Sequence, residues 1–313
     1  MVNIIKERRA RAIDIDLRSV IPLSSPKIIN VSMVLPRAPK ALFFDVFGTC
    51  VDWRTTVTDA LELGSHRALD SAEKSLSSAV RLKASDMTYE DWGKLAQEWR
   101  NTYKRFTKSL ADDPSLHWKT IDDHHLDSIR ELLVDWKLEG LWGDEEVRAL
   151  SLVWHRLNPW LDSAPGITAL NKLFQTATLS NGNFSLLNDL TAHAQMKFTH
   201  IFSAELFGAY KPSPTVYLGA ASALHLQPSD CAMVAAHLGD LKAAKSHGMQ
   251  VIYIERPREE DWSKDEVEQA KRDGWVDLWV TSEEDGFLTM AQKLGVKLDE
   301  EMLKGFRAHS DPN

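Results

Sequence analysis

Asp45, the pair Ser180-Asn181, Lys211 and Asp240 stand out by residue type and by what precedes them. Asp45 follows the apolar run Ala41-Leu-Phe-Phe, and Ser180-Asn181 closes the run that starts at Ala177. Asp240 lies just past Cys231-Ala-Met-Val-Ala-Ala236, and Lys211 follows His200-Ile-Phe-Ser203. Steps of 135, 31 and 29 residues separate the four positions. Short apolar runs of this kind read as buried strands. In a parallel sheet, ligands bind beyond the carboxyl ends of the strands, so residues at those ends share one edge. A carboxylate there can act as a nucleophile, an ammonium can offset its charge, and hydroxyl and amide groups can bind a small anion. One aspartate after a strand is usually a helix cap or a turn residue. The ordered set is far more specific.

The elements that would position these groups alternate along the chain. Further strand-like runs are Gln250-Val-Ile-Tyr-Ile254 and Asp277-Leu-Trp-Val280, and helices are predicted near 166–174, 185–194, 213–224, 240–247 and 284–294. Strands alternating with helices of about ten residues imply right-handed crossovers and a parallel sheet. Between the first strand and residue 165 the pattern is helical, with helices predicted at 55–80, 88–111, 122–137 and 144–156. Seven of the eleven tryptophans lie between 92 and 160, which reads as helix-packing core in preference to a pocket lining. The expected fold class is α/β, a Rossmann-like parallel sheet core with an inserted helical cap domain. The core takes residues 41–58 and 165–313, and the cap 59–164. The stretch 257–275 reads as a solvated loop or helix.

Composition narrows the function classes. Apolar residues make up 43% of the 313 and charged residues 26%, an ordinary globular balance. A net charge of −8 argues against a broad nucleic-acid-binding face, and no apolar run has the length of a membrane span. Two cysteines, Cys50 and Cys231, make no disulfide framework, which suits a reducing compartment such as the cytoplasm. Residues 1–40 carry eight Lys/Arg against three Asp/Glu and four prolines. They read as a flexible extension, with an organelle-targeting segment as the alternative, and Met33 stands as a possible start. No GxxxxGK or GxGxxG loop is present, so no nucleotide cofactor is expected.

The segments Asp45-Val-Phe-Gly-Thr49, Leu179-Ser-Asn-Gly182, Tyr210-Lys-Pro212 and Ala235-Ala-His-Leu-Gly-Asp240, in that order, resemble the haloacid dehalogenase superfamily. Within it they are most similar to the type II L-2-haloacid dehalogenases. The resemblance covers about residues 41–295. It implies hydrolysis of short 2-haloalkanoic acids, with preference for the L or (S) form, to 2-hydroxy acids and halide. Asp45 would attack the halogen-bearing carbon, and water would then cleave the aspartyl ester. Dimer formation is common among such relatives.

The residue that discriminates within the superfamily is Phe47. Phosphatases that share the motif carry a second aspartate there, which protonates an alkoxide leaving group. Chloride and bromide depart without a proton. A hard divalent cation wants several oxygen ligands, and the acidic position early in the last motif falls at Ala236, so metal independence is expected. The resemblance further implies Lys211 beside Asp45 and Asp240 organising Lys211 and the water. Ser180 with backbone N–H groups near Phe47 would bind the substrate carboxylate, alongside Thr49. Arg100 of Trp99-Arg100, with Asn181, would receive the halide. Tyr217 is either a site residue or a core-facing tyrosine. His237 either accepts the water's proton, hydrogen-bonds that water, or is structural.

Other residues take plainer readings. Cys50 is read as packing, His124-His125 as surface, and Arg256-Pro-Arg258 as simple charge. The rival functions are a magnesium-dependent phosphatase and a non-catalytic relative.

Overall fold

The computed structural model describes Leu35, residues 37–113, residues 115–300 and Phe306. Most of the predicted N-terminal extension, Met33 included, lies outside the described residues.

Strand β1 (Ala41–Phe44) is fully buried, because helices cover both faces of the sheet and leave no side for polar alternation. Its neighbours are β4 (Gln175–Ser180) and β6 (Cys231–Ala235), with Phe44 in register with Thr178 on one side and Val234 on the other. Beyond them lie β5 (His200–Ser203) next to β4, then β7 (Gln250–Ile254) and β8 (Leu278–Val280) on the other wing. All six strands are parallel, in the order β5-β4-β1-β6-β7-β8. The chain runs outward through β4 and β5 and then returns to the opposite side of β1. The strand order therefore reverses at β1, which opens a crevice at its carboxyl end. Helices α6 (Ser163–Leu170), α7 (Phe184–His193), α8 (Pro214–Ala223), α9 (Leu238–Ser246), α10 (Lys264–Asp273) and α11 (Gly286–Lys293) accompany the sheet.

Between β1 and β4 the chain makes α1 (Trp53–Asp70), α2 (Ser78–Asp86), α3 (Tyr89–Asp112), α4 (Ile121–Asp135) and α5 (Asp144–Ser151). A two-residue antiparallel pair, β2 (Val51–Asp52) with β3 (Asn158–Pro159), joins the points where the chain leaves and re-enters the core. Helix α3 begins with a capping box between Thr88 and Asp91. Its buried residues Trp92, Leu95, Ala96, Trp99, Arg100 and Tyr103 recur at helical spacing, so one face is committed to the interior and carries Arg100 with it. The single helix predicted at 55–80 divides in two. Helix α1 stops at Ser71, and Ser77 caps α2 by accepting from the Val80 N–H. Serines compete for backbone hydrogen bonds in this way and favour helix ends over interiors. No helix among the described residues is long and apolar enough to cross a membrane.

Candidate active site

Asp45 is the first residue past β1, and its N–H donates to Val234 O at 3.0 Å, which fixes it between the tips of β4 and β6. Asp45 is 8% exposed, and both of its carboxylate oxygens are engaged. Oδ1 accepts from Lys211 Nζ at 3.0 Å, Oδ2 accepts from Thr49 Oγ1 at 2.8 Å, and His237 Nδ1 lies 3.2 Å from Oδ2. Burial alone would raise its pKa, but Lys211 and His237 outweigh burial and hold the group well below the usual carboxylate range. Asp45 is therefore an anion at neutral pH.

Lys211 lies between two carboxylates. Its Nζ is 2.5 Å from Asp240 Oδ2, and Asp240 Oδ1 accepts from Tyr217 Oη at 2.6 Å. Burial works against the ammonium, yet Asp240 and Asp45 together hold its pKa above the ordinary lysine value. Asn181 fixes the Lys211 backbone from both directions: Lys211 N–H donates to Asn181 Oδ1 at 2.7 Å, and Asn181 Nδ2 donates to Lys211 O at 3.3 Å. Asp45, Asn181, Lys211, Tyr217, His237 and Asp240 all line one cavity of about 340 Å³. Thr49 and Ser180 are fully buried behind it. The Thr49 hydroxyl donates to Asp45 and accepts from the Ala236 N–H, and the Ser180 hydroxyl accepts from the Gly182 N–H at 3.3 Å. Both hydroxyls shape the loops that carry the cavity groups.

Arg100 enters from α3 and lines the same cavity. It is 4% exposed, and its guanidinium lies over the rings of Tyr103, Phe47 and Trp53 at 4.5, 5.3 and 5.6 Å. Nη2 donates to Phe47 O at 3.5 Å, while Nε and Nη1 have no partner among the described residues. Buried donors without partners are costly, so this geometry marks a place for an acceptor. The Phe47 ring is buried and packs edge-on against Tyr103 and Trp154.

These residues do not fit a magnesium site. The ammonium of Lys211 already bridges the two facing carboxylates, and Phe47 and Ala236 supply no side-chain oxygen.

Three sequence readings are corrected. His125 is 1% exposed, stacked at 4.4 Å on Trp154, with neither ring nitrogen partnered among the described residues; His124 stacks at 4.4 Å on Phe106. Burial, reinforced by the nearby Arg100 and His155, lowers the His125 pKa, so its imidazole is neutral. Arg256 is not free charge: its guanidinium pairs bidentately with Asp162 at 2.8 and 2.7 Å and donates to Thr49 O at 3.0 Å. The stretch 257–275 is not wholly solvated either, because Glu259 is 5% exposed and reaches the site. Glu259 Oε2 accepts from Trp53 Nε1 at 3.0 Å and lies 3.6 Å from His237 Nε2. It occupies the space above Gly48, whose φ is +85°, and a Cβ there would fall 2.0 Å from that oxygen. Sequence reasoning missed Glu259, because its place after β7 is shared with Glu255 and Glu260 and position alone does not single it out.

A model of the family described as haloacid dehalogenase-like hydrolase matches residues 39–248, more than half of the chain. The chain is 29% identical over 104 residues to haloacetate dehalogenase H-2 of Moraxella sp. (strain B), a match spanning 32% of this chain and 46% of that protein. Among solved structures it is similar to the L-2-haloacid dehalogenase PA0810, with a TM-score of 0.65, 30% identity, and coverage of 82% of this chain and 99% of the other. It is also similar to the defluorinating L-2-haloacid dehalogenase Rha0230, with a TM-score of 0.68, 27% identity, and coverage of 84% and 98%. A parallel sheet with the Asp45 loop at the end of its central strand, and a family match that spans β1, β4, β5 and β6, agree: this chain belongs to the haloacid dehalogenase-like hydrolases.

Proposed function

We propose that the protein hydrolyses short 2-haloalkanoic acids to 2-hydroxy acids and halide, through an ester on Asp45 and without metal. The observation that carries this reading is Arg100, which lines the cavity with Asp45 and lies over Phe47 with its buried Nε and Nη1 unpartnered among the described residues. A cation with free donors suits a departing halide, and the ring in place of an acid suits a leaving group that needs no proton. The names of the related dehalogenases support the same reading.

Asp45 attacks the halogen-bearing carbon, and the halide leaves with its bonding electrons. Two anions must meet in that step. At 4 Å the repulsion is about 4 kcal/mol at an effective dielectric near 20. Lys211 and protonated His237, both on the Asp45 carboxylate, offset it. Water then adds to the carbonyl carbon of Asp45, and Asp240 keeps Lys211 in place while the carboxylate is regenerated.

Halide release from 2-chloropropionate, followed with and without a chelator, tests the reading. Release should be unaffected by the chelator and abolished in Asp45→Asn. A single turnover in heavy-oxygen water should leave the label on Asp45. Chelator-sensitive phosphate release with no halide would replace this reading with that of a phosphatase.

A further inference from the structure

Glu259, His237 and Asp45 form a line. Glu259 Oε2 is 3.6 Å from His237 Nε2, and His237 Nδ1 is 3.2 Å from Asp45 Oδ2. Side-chain exposures along it are 5%, 13% and 11%. Keeping an ionised carboxylate that deep requires partners, and Glu259 has two, the Trp53 indole N–H and the imidazole of His237. Gly48 leaves the space that lets Glu259 approach. The spacing to Nε2 is an ion-pair contact, and contacts of this kind are commonly looser before substrate binds.

We infer that Glu259 is the positioning residue for His237 in the second half of the reaction, keeping a proton on Nε2 so that Nδ1 faces the ester and takes the proton of the attacking water. The inference rests on the dehalogenase reading above and deepens it.

The chemistry balances. In the first step a bond forms between an Asp45 oxygen and the substrate carbon, and the carbon–halogen bond breaks. In the second, water oxygen bonds to Cγ of Asp45 while one of its protons passes to His237 Nδ1. The bond between Cγ and the ester oxygen, which came from Asp45, then breaks, and the alkoxide released with that oxygen takes the proton to become the hydroxyl of the product. The other proton of the water leaves Asp45 for solvent, which restores the carboxylate.

The two steps need His237 in different states, and its surroundings supply the change. In the free site its imidazole faces two carboxylates, and although burial alone would lower its pKa, Asp45 and Glu259 bring it up to about 9. It is then a cation while the anionic substrate arrives. Esterification removes the charge of Asp45 and leaves Glu259 as the one carboxylate touching the ring. The imidazolium then gives its Nδ1 proton to solvent more readily and becomes a base. The other charged groups lining the cavity are Arg100, Lys104, Lys108, Lys211, Asp240 and Asp261, and Glu260 accepts from the Leu238 N–H beside His237.

Glu259→Gln keeps the shape and the acceptor for Trp53 but removes the charge, and Glu259→Asp keeps the charge. Intact-protein mass spectrometry with 2-chloropropionate separates ester formation from ester decay at each pH. In Glu259→Gln, ester formation should stay within a few-fold of the parent, while decay slows by about 10²-fold. The acidic limb of the decay profile should move to lower pH, because His237 loses a carboxylate neighbour. Glu259→Asp should recover part of the rate and the limb. Decay in Glu259→Gln at the parent rate with an unmoved limb overturns the inference and leaves the dehalogenase reading standing. Equal slowing of both steps with an unmoved limb also overturns it, in favour of a purely structural glutamate. Absence of any ester in the parent protein overturns both readings together.

Discussion

Arg100 is a charge placed where water is scarce. A guanidinium tolerates this because it spreads its charge over a plane that stacks on Tyr103 and Phe47, whereas a lysine ammonium is a compact, strongly hydrated point. Arg100→Lys therefore keeps the charge but loses both the stacking and the fork of donors. Halide release should fall by about 10²–10³-fold, with the main loss in kcat, since the donors act on charge that develops as halide departs. Steady-state kinetics with 2-chloropropionate decides this; a variant within a few-fold of the parent would remove Arg100 from the reaction. Asp45, Lys211 and Asp240 stood out in the sequence because a polar residue at or beyond a strand end contrasts with its apolar neighbours, whereas Arg100 stood out only through the resemblance carried by Trp99-Arg100. Glu259 did not, because Glu255, Glu259 and Glu260 share one acidic stretch and only tertiary packing buries the second of them beside His237. His125 escaped for the converse reason: its ring behaves as an aromatic hydrocarbon would, stacked between Tyr103 and Trp154.

At the scale of elements, the central strands were readable almost to the residue, because burial on both faces demands unbroken apolar runs. The helical segment was readable in kind and less so in its limits. Caps such as Ser77 decide where a helix stops, and β2 and β3, at two residues each, are too short to show a period. One contact between elements carries a pH dependence. His155, in the single 3₁₀ turn after α5, reaches Asp122 at the start of α4 through Nε2 at 3.0 Å and Asp189 of α7 through Nδ1 at 2.9 Å. Asn183 also donates to Asp122, at 2.8 Å. Partial burial alone would lower the pKa of His155, but the two aspartates raise it. A raised pKa in the folded state means that the protonated imidazole stabilises the fold. That contribution is complete below the unfolded value of about 6.5 and is lost as pH rises through the higher folded value. The parent should therefore exceed His155→Gln in thermal midpoint most at about pH 6, and the gap should narrow toward alkaline pH. A gap that is flat with pH, or that widens upward, would show that the imidazole contributes as a neutral group.

At the scale of the whole molecule, four segments far apart in sequence meet at one buried ion pair. Asp162, where the chain re-enters the core, accepts from both terminal nitrogens of Arg256 at 2.8 and 2.7 Å and from the Phe287 N–H at 2.7 Å. Arg256, just past β7, donates through Nε to the carbonyl of Thr49, whose hydroxyl holds Asp45. Both side chains are 7% exposed. Nothing local in the sequence announces this, since a lone aspartate and a lone arginine 94 residues apart carry no period and no spacing rule. Such a pair gains little over an apolar replacement of both partners, but removing one partner strands a charge in a poorly hydrated place. Arg256→Ala and Asp162→Ala should each lower the unfolding free energy by about 3–5 kcal/mol, and the double variant should lose clearly less than the sum. Equilibrium urea unfolding of the parent, both single variants and the double variant supplies the cycle. Arg256→Ala should also slow the reaction beyond any loss of folded protein, because the Thr49 carbonyl loses its donor and the loop carrying Asp45 its anchor. Additive losses would mean that the two charges are held independently, and an unchanged rate per folded molecule would detach this pair from Asp45.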